Sequence, residues 1–350
     1  MGGLRALLFR SDGKDAIATT VSRHGTNSGP MDREWLQRHQ VAVYAGAVAL
    51  AIGLAVGRPS TAPALERLID PTLALLLYVT FLEVPFVRLR RAFRNRRFVG
   101  AALATNFLVV PAVVWLLTRP LPTRPALLLG VFMVLLTPCI DYVITFTDLA
   151  GGDAEQVTAT TPALLLVQLL ALPAYLWLFL GPTAAAAVEL RPFLEAFLLI
   201  IALPLSLAWL TEAWAERSPR GAAWQSTMGW LPVPMLAATL LVVIASQLPR
   251  VGDSIGQIAV AVPVYVAFLV VMAPIARLVG DRLALPVGEQ RALVFTSVTR
   301  NSLVVLPLAL ALPAGYELVP AVVVTQTLVE LAGMVALTRV VPAWLVPDRP

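Results

Sequence analysis

Charge and cysteine are both scarce in this 350-residue chain. Only 13% of its residues are Asp, Glu, Lys or Arg, against about 25% in an average soluble protein, whereas 58% are hydrophobic. A chain so poor in charge cannot coat a water-exposed surface, and the composition predicts a polytopic membrane protein. The single cysteine, Cys139, excludes an internal disulfide. The two histidines, His24 and His39, both lie outside the apolar runs, and with one thiol they do not make a closed zinc site. No intramembrane histidine and no nucleophile and base pair offer themselves for catalysis, so the chain is read as a non-enzyme without a cofactor. Lys and Arg exceed Asp and Glu by 26 to 21, giving a net charge of +5. In a soluble protein that excess would suggest nucleic acid. Here the positions of the arginines account for it, and no nucleic acid partner is expected.

What the chain has in abundance is apolar runs. A spanning helix needs about 20 apolar residues, and by that measure ten candidates follow a polar arm at residues 1–37. They are 39–57, 69–86, 98–117, 126–149, 157–181, 193–210, 229–247, 255–278, 291–312 and 318–340. The arm lacks sustained periodicity and is expected to be disordered, with Met31 a candidate second start. If the amino terminus is cytoplasmic, 19 of the 26 Lys and Arg fall on cytoplasmic segments, including Arg88, Arg90, Arg91, Arg94, Arg96 and Arg97 in one loop. That asymmetry is the positive-inside pattern, and it places both termini in the cytoplasm of a plasma (inner) membrane protein, with a tail at 341–350. Contact of the basic loop with anionic membrane lipid follows from the same charges.

One stretch departs from a plain spanning pattern. Leu136 to Asp153 reads Leu-Thr-Pro-Cys-Ile-Asp-Tyr-Val-Ile-Thr-Phe-Thr-Asp-Leu-Ala-Gly-Gly-Asp, and it sets Pro138 and Asp141 where hydrocarbon should surround them. Freed backbone groups and carboxylates are tolerated at membrane depth only where protein or water shields them, so the segment should line a cavity. Ten spans divide into two sets of five, at 38–181 and 193–340, and an odd number per set forces the second to be inverted. Transporters with inverted repeats place interrupted helices at corresponding positions of the two halves. The counterpart of the fourth span is the ninth, which carries Thr296-Ser297-Val298-Thr299-Arg300-Asn301-Ser302 in its middle.

Several residues in these two spans and the tenth could carry chemistry. Cys139 is either a small hydrophobe or a soft thiolate ligand to a trivalent solute. Thr137 and Asp141 lie four apart and share a face if the helix continues. Asp141 either pairs with Arg300 to lock the interrupted helices together, or serves as a proton or cation site. Arg300 is a fixed positive partner for Asp141, for Glu330 or for an anionic substrate. Asn301 and Ser302 add donors and acceptors beside it, and Glu330, mid-span in the tenth helix, is a buried carboxylate able to carry a proton. Gln326 lies one turn before Glu330, and Gly333 allows close approach of another helix. Glu83, nearer a helix end, weighs less. Asn106 reads as a helix-contact hydrogen bond.

The run Thr-Pro-Cys-Ile-Asp-Tyr-Val at 137–143, followed by Asp-Leu-Ala-Gly-Gly-Asp at 148–153, resembles the fourth-helix signature of the arsenical-resistance permeases, arsenite efflux proteins of the bile acid/sodium symporter superfamily. Asn106 to Trp115, with Pro111, is similar to their third helix, and Leu328-Val329-Glu330, with Met334, to their tenth. The resemblance implies an all-α membrane fold of ten helices in two inverted five-helix repeats, with discontinuous fourth and ninth helices crossing at the site. It also implies Cys139 as a metalloid ligand during arsenite export, extending to antimonite, coupled to proton entry. The ninth helix departs from the pattern, which has paired asparagines and then a glutamate. This chain reads Arg300-Asn301-Ser302-Leu303-Val304, with Asp141 as an added acid on the other crossing helix.

From these readings the expected protein is an arsenite efflux transporter exchanging its substrate for protons. Cys139, Thr137, Asn301 and Ser302 face the substrate, while Asp141, Arg300 and Glu330 couple the ion. A rival reading is a sodium- or proton-coupled organic anion transporter in which Arg300 binds a carboxylate or sulfate.

Overall fold

A computed structural model of the chain describes residues 33–82, 95–140, 142–187, 197–251, 255–313 and 315–348. The first 32 residues, Glu83, four arginines of the basic loop (Arg88, Arg90, Arg91 and Arg94) and Asp141 lie outside the described residues. The described residues are predominantly helical, without a named strand. Among the described residues five helices are long and apolar enough to cross a bilayer unaided, and a sixth joins them if a pair bent by 104° near Arg58 is one span. The chain is an all-helical, multi-pass membrane protein.

In chain order the helices are α1 (Arg33–Gly57), α2 (Ala62–Glu66), α3 (Ile69–Phe81), α4 (Arg96–Thr118), α5 (Pro125–Leu135), α6 (Val143–Leu149) and α7 (Ala154–Gly181). There follow α8 (Leu203–Ala215, entered through a π turn at Phe197–Ala202), α9 (Pro219–Met228), α10 (Pro232–Val251), α11 (Ile255–Arg282), α12 (Val287–Val298), α13 (Ser302–Leu310) and α14 (Leu318–Leu345). The expected fourth span is thus the broken pair α5 and α6, and the expected ninth is the broken pair α12 and α13. One expectation is corrected. The connection between the sixth and seventh candidates is not a loop, because Pro219, an N1 residue with preset φ, starts the ten-residue helix α9. The tail at 341–350 packs back on the fold over its described part. Residues 341–345 continue α14, Val346 is buried, and the Arg291 guanidinium holds Val346 C=O (3.0 Å) and the Asp348 carboxylate (2.9 Å).

The helices sort into two packed groups. Helices α1, α3, α8 and α10 pack on one another, while α4 to α7 and α11 to α14 form the other group around the broken pairs. The groups meet where α10 touches α14 and α3 touches α13. In the larger group Pro111 of α4 removes the donor its preceding turn needs, and the helix answers with a π turn at Thr105–Val109. The carbonyl four residues before Pro111, that of Phe107, takes the hydroxyl of Tyr175 on α7 instead. Gly333 lets α14 close on α11. A Cβ there would stand 2.4 Å from the Leu269 side chain.

The signature Asp148 to Asp153 is a tight turn joining α6 to α7. Gly151 takes positive φ (64°), where an L side chain is strained, and its carbonyl accepts from Arg291 at 3.2 Å. The Asp153 carboxylate caps α7 by accepting from the Gln156 N–H at 3.0 Å, and its own N–H donates to Gly288 C=O at 2.9 Å. This half of the signature positions α6 against α12.

Candidate functional site at the helix crossing

Pro138 has no N–H to give, and it pushes the residue before it out of helical geometry, so α5 stops at Leu135. The Thr137 hydroxyl turns back to the carbonyls of Met133 and Val134, both at 3.0 Å, and covers the acceptor that Pro138 leaves. On the other chain segment Thr299 is extended, which ends α12, and the Asn301 side-chain oxygen caps α13 by accepting from the Val304 N–H at 3.2 Å. The two breaks lie side by side as a single antiparallel bridge between Pro138 and Arg300. Cys139 N–H donates to Thr299 C=O at 3.1 Å, and Asn301 N–H donates to Thr137 C=O at 2.8 Å. Each break therefore satisfies backbone groups of the other, which a single broken helix in lipid could not do.

Arg300 is fully buried at this crossing. Its guanidinium donates to the carbonyl of Leu135 (3.2 Å) at the end of α5 and to those of Thr296 (3.1 Å) and Ser297 (2.8 Å) at the end of α12. A further bond reaches the Asn106 side-chain oxygen (2.8 Å), and the group lies 5.2 Å from the Phe268 ring centre. Asn106 sits in the π turn of α4 and anchors its own amide on Ala102 C=O at 3.0 Å. Two helix C-termini each carry about half a negative charge, and one guanidinium offsets both.

Glu330 is equally buried, and it is not unpaired. Its carboxylate accepts from the Tyr142 hydroxyl (2.7 Å), the Arg300 backbone N–H (2.9 Å) and the Gln326 amide. Tyr142 also lies 3.2 Å from Arg300 C=O, and its ring stands edge-on to Phe146. Beside this cluster Thr327 donates to the Ser302 hydroxyl at 2.8 Å. Both line a cavity of about 10 Å³ with Thr239 of α10, roughly the room one water needs. The Thr239 hydroxyl has no hydrogen-bond partner among the described residues, and the same is true of the Asn301 amide nitrogen.

About two turns along α14 from this cavity opens a larger one of about 560 Å³, lined in part by Glu66, Arg124, Gln247, Gln257, Tyr316 and Glu317. The Gly315 N–H, 2.9 Å from the Glu317 carboxylate, holds that exposed acid below the usual carboxylate range.

The sequence-predicted residues Thr137, Cys139, Arg300, Asn301, Ser302 and Glu330 thus converge within one cluster. Cys139 is fully buried there. The Arg300 guanidinium is turned to helix-end carbonyls rather than to the carboxylate of Glu330. Asn106, Tyr142, Gln326, Thr327 and Thr239 were not assigned to the site, although the first three stood in stretches already singled out. Their signal was polarity inside an apolar run. What the run could not reveal was direction, since their partners lie far away in sequence.

The chain is 23% identical over 213 residues, 56% of its length, to the arsenical-resistance protein Acr3 of Corynebacterium glutamicum, and the match spans 57% of that protein. Residues 70–258, more than half of the chain, match the family model described as the sodium bile acid symporter family. By that match the chain with the crossed, broken helices is a member of the sodium bile acid symporter family.

Proposed function

We propose that this family member is a secondary transporter that exports trivalent arsenic hydroxide in exchange for protons. The observation that carries the reading is the crossing itself. Two interrupted helices pair at Pro138 and Arg300 with a buried thiol in one break, and polar atoms cluster around it. Interrupted helices paired in this way are how transporters build a solute site at membrane depth. The name of the Corynebacterium relative, which speaks of arsenical resistance, supports the choice of solute.

In this reading the fold is ten spans in two inverted repeats, with α5–α6 and α12–α13 as the corresponding broken pairs. The equivalence of the first two spans in each half supports it, because α1 and α3 pack with α8 and α10 in one group. The arginine distribution puts both termini in the cytoplasm. The 560 Å³ cavity then opens to the outside, where the solute leaves, and the small cavity beneath it belongs to the exit path. Ser302, Thr327 and Thr239 offer hydroxyls to a neutral, three-hydroxyl solute, while Cys139 supplies a soft sulfur once the two helix groups part at their seam. Asp141 and Glu330 exchange the protons.

The rival reading requires Arg300 to face an anion. Both terminal nitrogens of its guanidinium are engaged by the protein's own oxygens, which favours the neutral solute. The test is arsenite resistance conferred on a sensitive host, paired with efflux from everted vesicles. Cys139→Ala and Cys139→Ser should abolish both at unchanged protein level. Export that survives either substitution overturns the ligand role, and sodium-dependent uptake of an organic anion instead of arsenite export overturns the substrate.

A further inference from the structure

The Arg300 guanidinium does more than satisfy its own burial. Its four oxygen partners come from three helices: the C-terminal carbonyl of Leu135 on α5, those of Thr296 and Ser297 on α12, and the Asn106 side chain of α4. A set of carbonyls at the ends of broken helices is the type of ligand shell with which secondary transporters hold a coupling cation such as sodium. Here that shell already contains a positive charge, tethered covalently to the chain. About half a negative charge at each of the two helix ends sums to one, which the guanidinium matches. Arginine does not deprotonate in proteins, so this charge neither leaves nor alternates during a cycle.

We infer that Arg300 is a built-in substitute for a coupling alkali cation at the helix crossing, so that the protein works without sodium, and that removing its side chain opens an oxygen-lined site for a monovalent cation. The inference rests on reading the chain as a secondary transporter and names how that site is kept charged. It also separates this chain from the ion its family name advertises. The Arg300 Nε has no hydrogen-bond partner among the described residues, so all four oxygens gather at the two terminal nitrogens.

The experiment compares thermal unfolding of the purified full chain in detergent at constant ionic strength, in choline chloride, sodium chloride, potassium chloride and a few millimolar methylguanidinium. The wild type should melt at the same temperature in all four. Arg300→Ala should melt lower in choline and recover saturably with sodium, potassium or methylguanidinium, while Arg300→Lys stays insensitive to sodium. A wild type specifically stabilised by sodium overturns the inference, and so does an Arg300→Ala protein that no cation stabilises. Should Arg300→Ala fail to accumulate, the wild-type arm and Arg300→Lys decide alone. A sodium-stabilised Arg300→Lys then counts against the substitution of one cation for the other. None of these arms requires arsenite transport, so a wrong solute and a wrong role for Arg300 give different results.

Discussion

The hydroxyl of Tyr142 stands 2.7 Å from one carboxylate oxygen of Glu330, and the Arg300 backbone N–H stands 2.9 Å from the other. The acid of α14 is thereby tied to both breaks at once, through the segment entering α6 and the segment entering α13. A change in its charge alters the hydrogen bonds of both.

Tyr142→Phe removes one donor from this buried carboxylate without changing the ring packing on Phe146. A hydrogen bond to a charged group contributes about 1.5–3 kcal/mol, and the loss should appear as that much lower stability in a denaturation series. Transport should fall with it.

Glu330→Gln keeps the volume and one acceptor oxygen while removing the charge. Solute exchange across equal concentrations should persist, whereas net efflux should lose its dependence on the proton gradient in proteoliposomes. Glu317→Gln, at the mouth of the larger cavity, serves as the control. That acid is held below the usual carboxylate range by the Gly315 N–H and stays charged near neutrality, so its removal should leave the pH profile above about pH 5 unaltered.

Thr239→Val deletes the one hydroxyl that the smaller group of helices contributes to the 10 Å³ cavity. Since that hydroxyl has no hydrogen-bond partner among the described residues, stability should change little. The apparent affinity for arsenite should weaken by about ten-fold, the equivalent of one hydrogen bond of roughly 1.4 kcal/mol.

Arg291 and Asp348 form an ion pair at 2.9 Å, yet the Asp348 side chain is 86% exposed and should contribute less than about 1 kcal/mol. The bonds from Arg291 to Val346 and Gly151 carbonyls are the larger effect. Asp348→Asn should therefore be nearly silent in a thermal melt. Arg291→Ala should cost about 1–3 kcal/mol and expose the end of the chain to carboxypeptidase.

Two glycines separate tight packing from tolerant packing. A Cβ on Gly130 would stand 2.8 Å and 2.9 Å from Val322 Cγ1 and Cβ, atoms of a β-branched side chain that cannot swing away. On Gly333 the obstacle is the far end of Leu269, which can turn. Gly130→Ala should destabilise by about 1–3 kcal/mol, and Gly333→Ala by less than about 1 kcal/mol, in the same unfolding assay.

The five or six long apolar helices were legible in the sequence because hydropathy is a local property, and so were the two breaks, since Pro138 and the run from Thr296 to Ser302 interrupt it within a few residues. The destinations of the polar side chains were not legible. Arg300 reaches Asn106 across 194 positions and Tyr142 reaches Glu330 across 188, and no period or spacing carries that information. The cover of the Phe107 carbonyl before Pro111 was hidden for the same reason, as Tyr175 arrives there from α7, 68 positions away. The helix α9 was missed because its residues are polar, and a search for apolar runs passes over them.

The paired breaks also set what the molecule can do as a mechanism. Cys139 is stitched to Thr299, and Asn301 to Thr137, so the centre of the larger group behaves as a rivet through two crossing beams. Beams riveted at the middle can tilt together, but one cannot slide along the other. Displacement is left to the seam where α10 and α3 meet α14 and α13, a boundary that no backbone hydrogen bond crosses among the described residues. That seam is the place to attach a pair of distance probes.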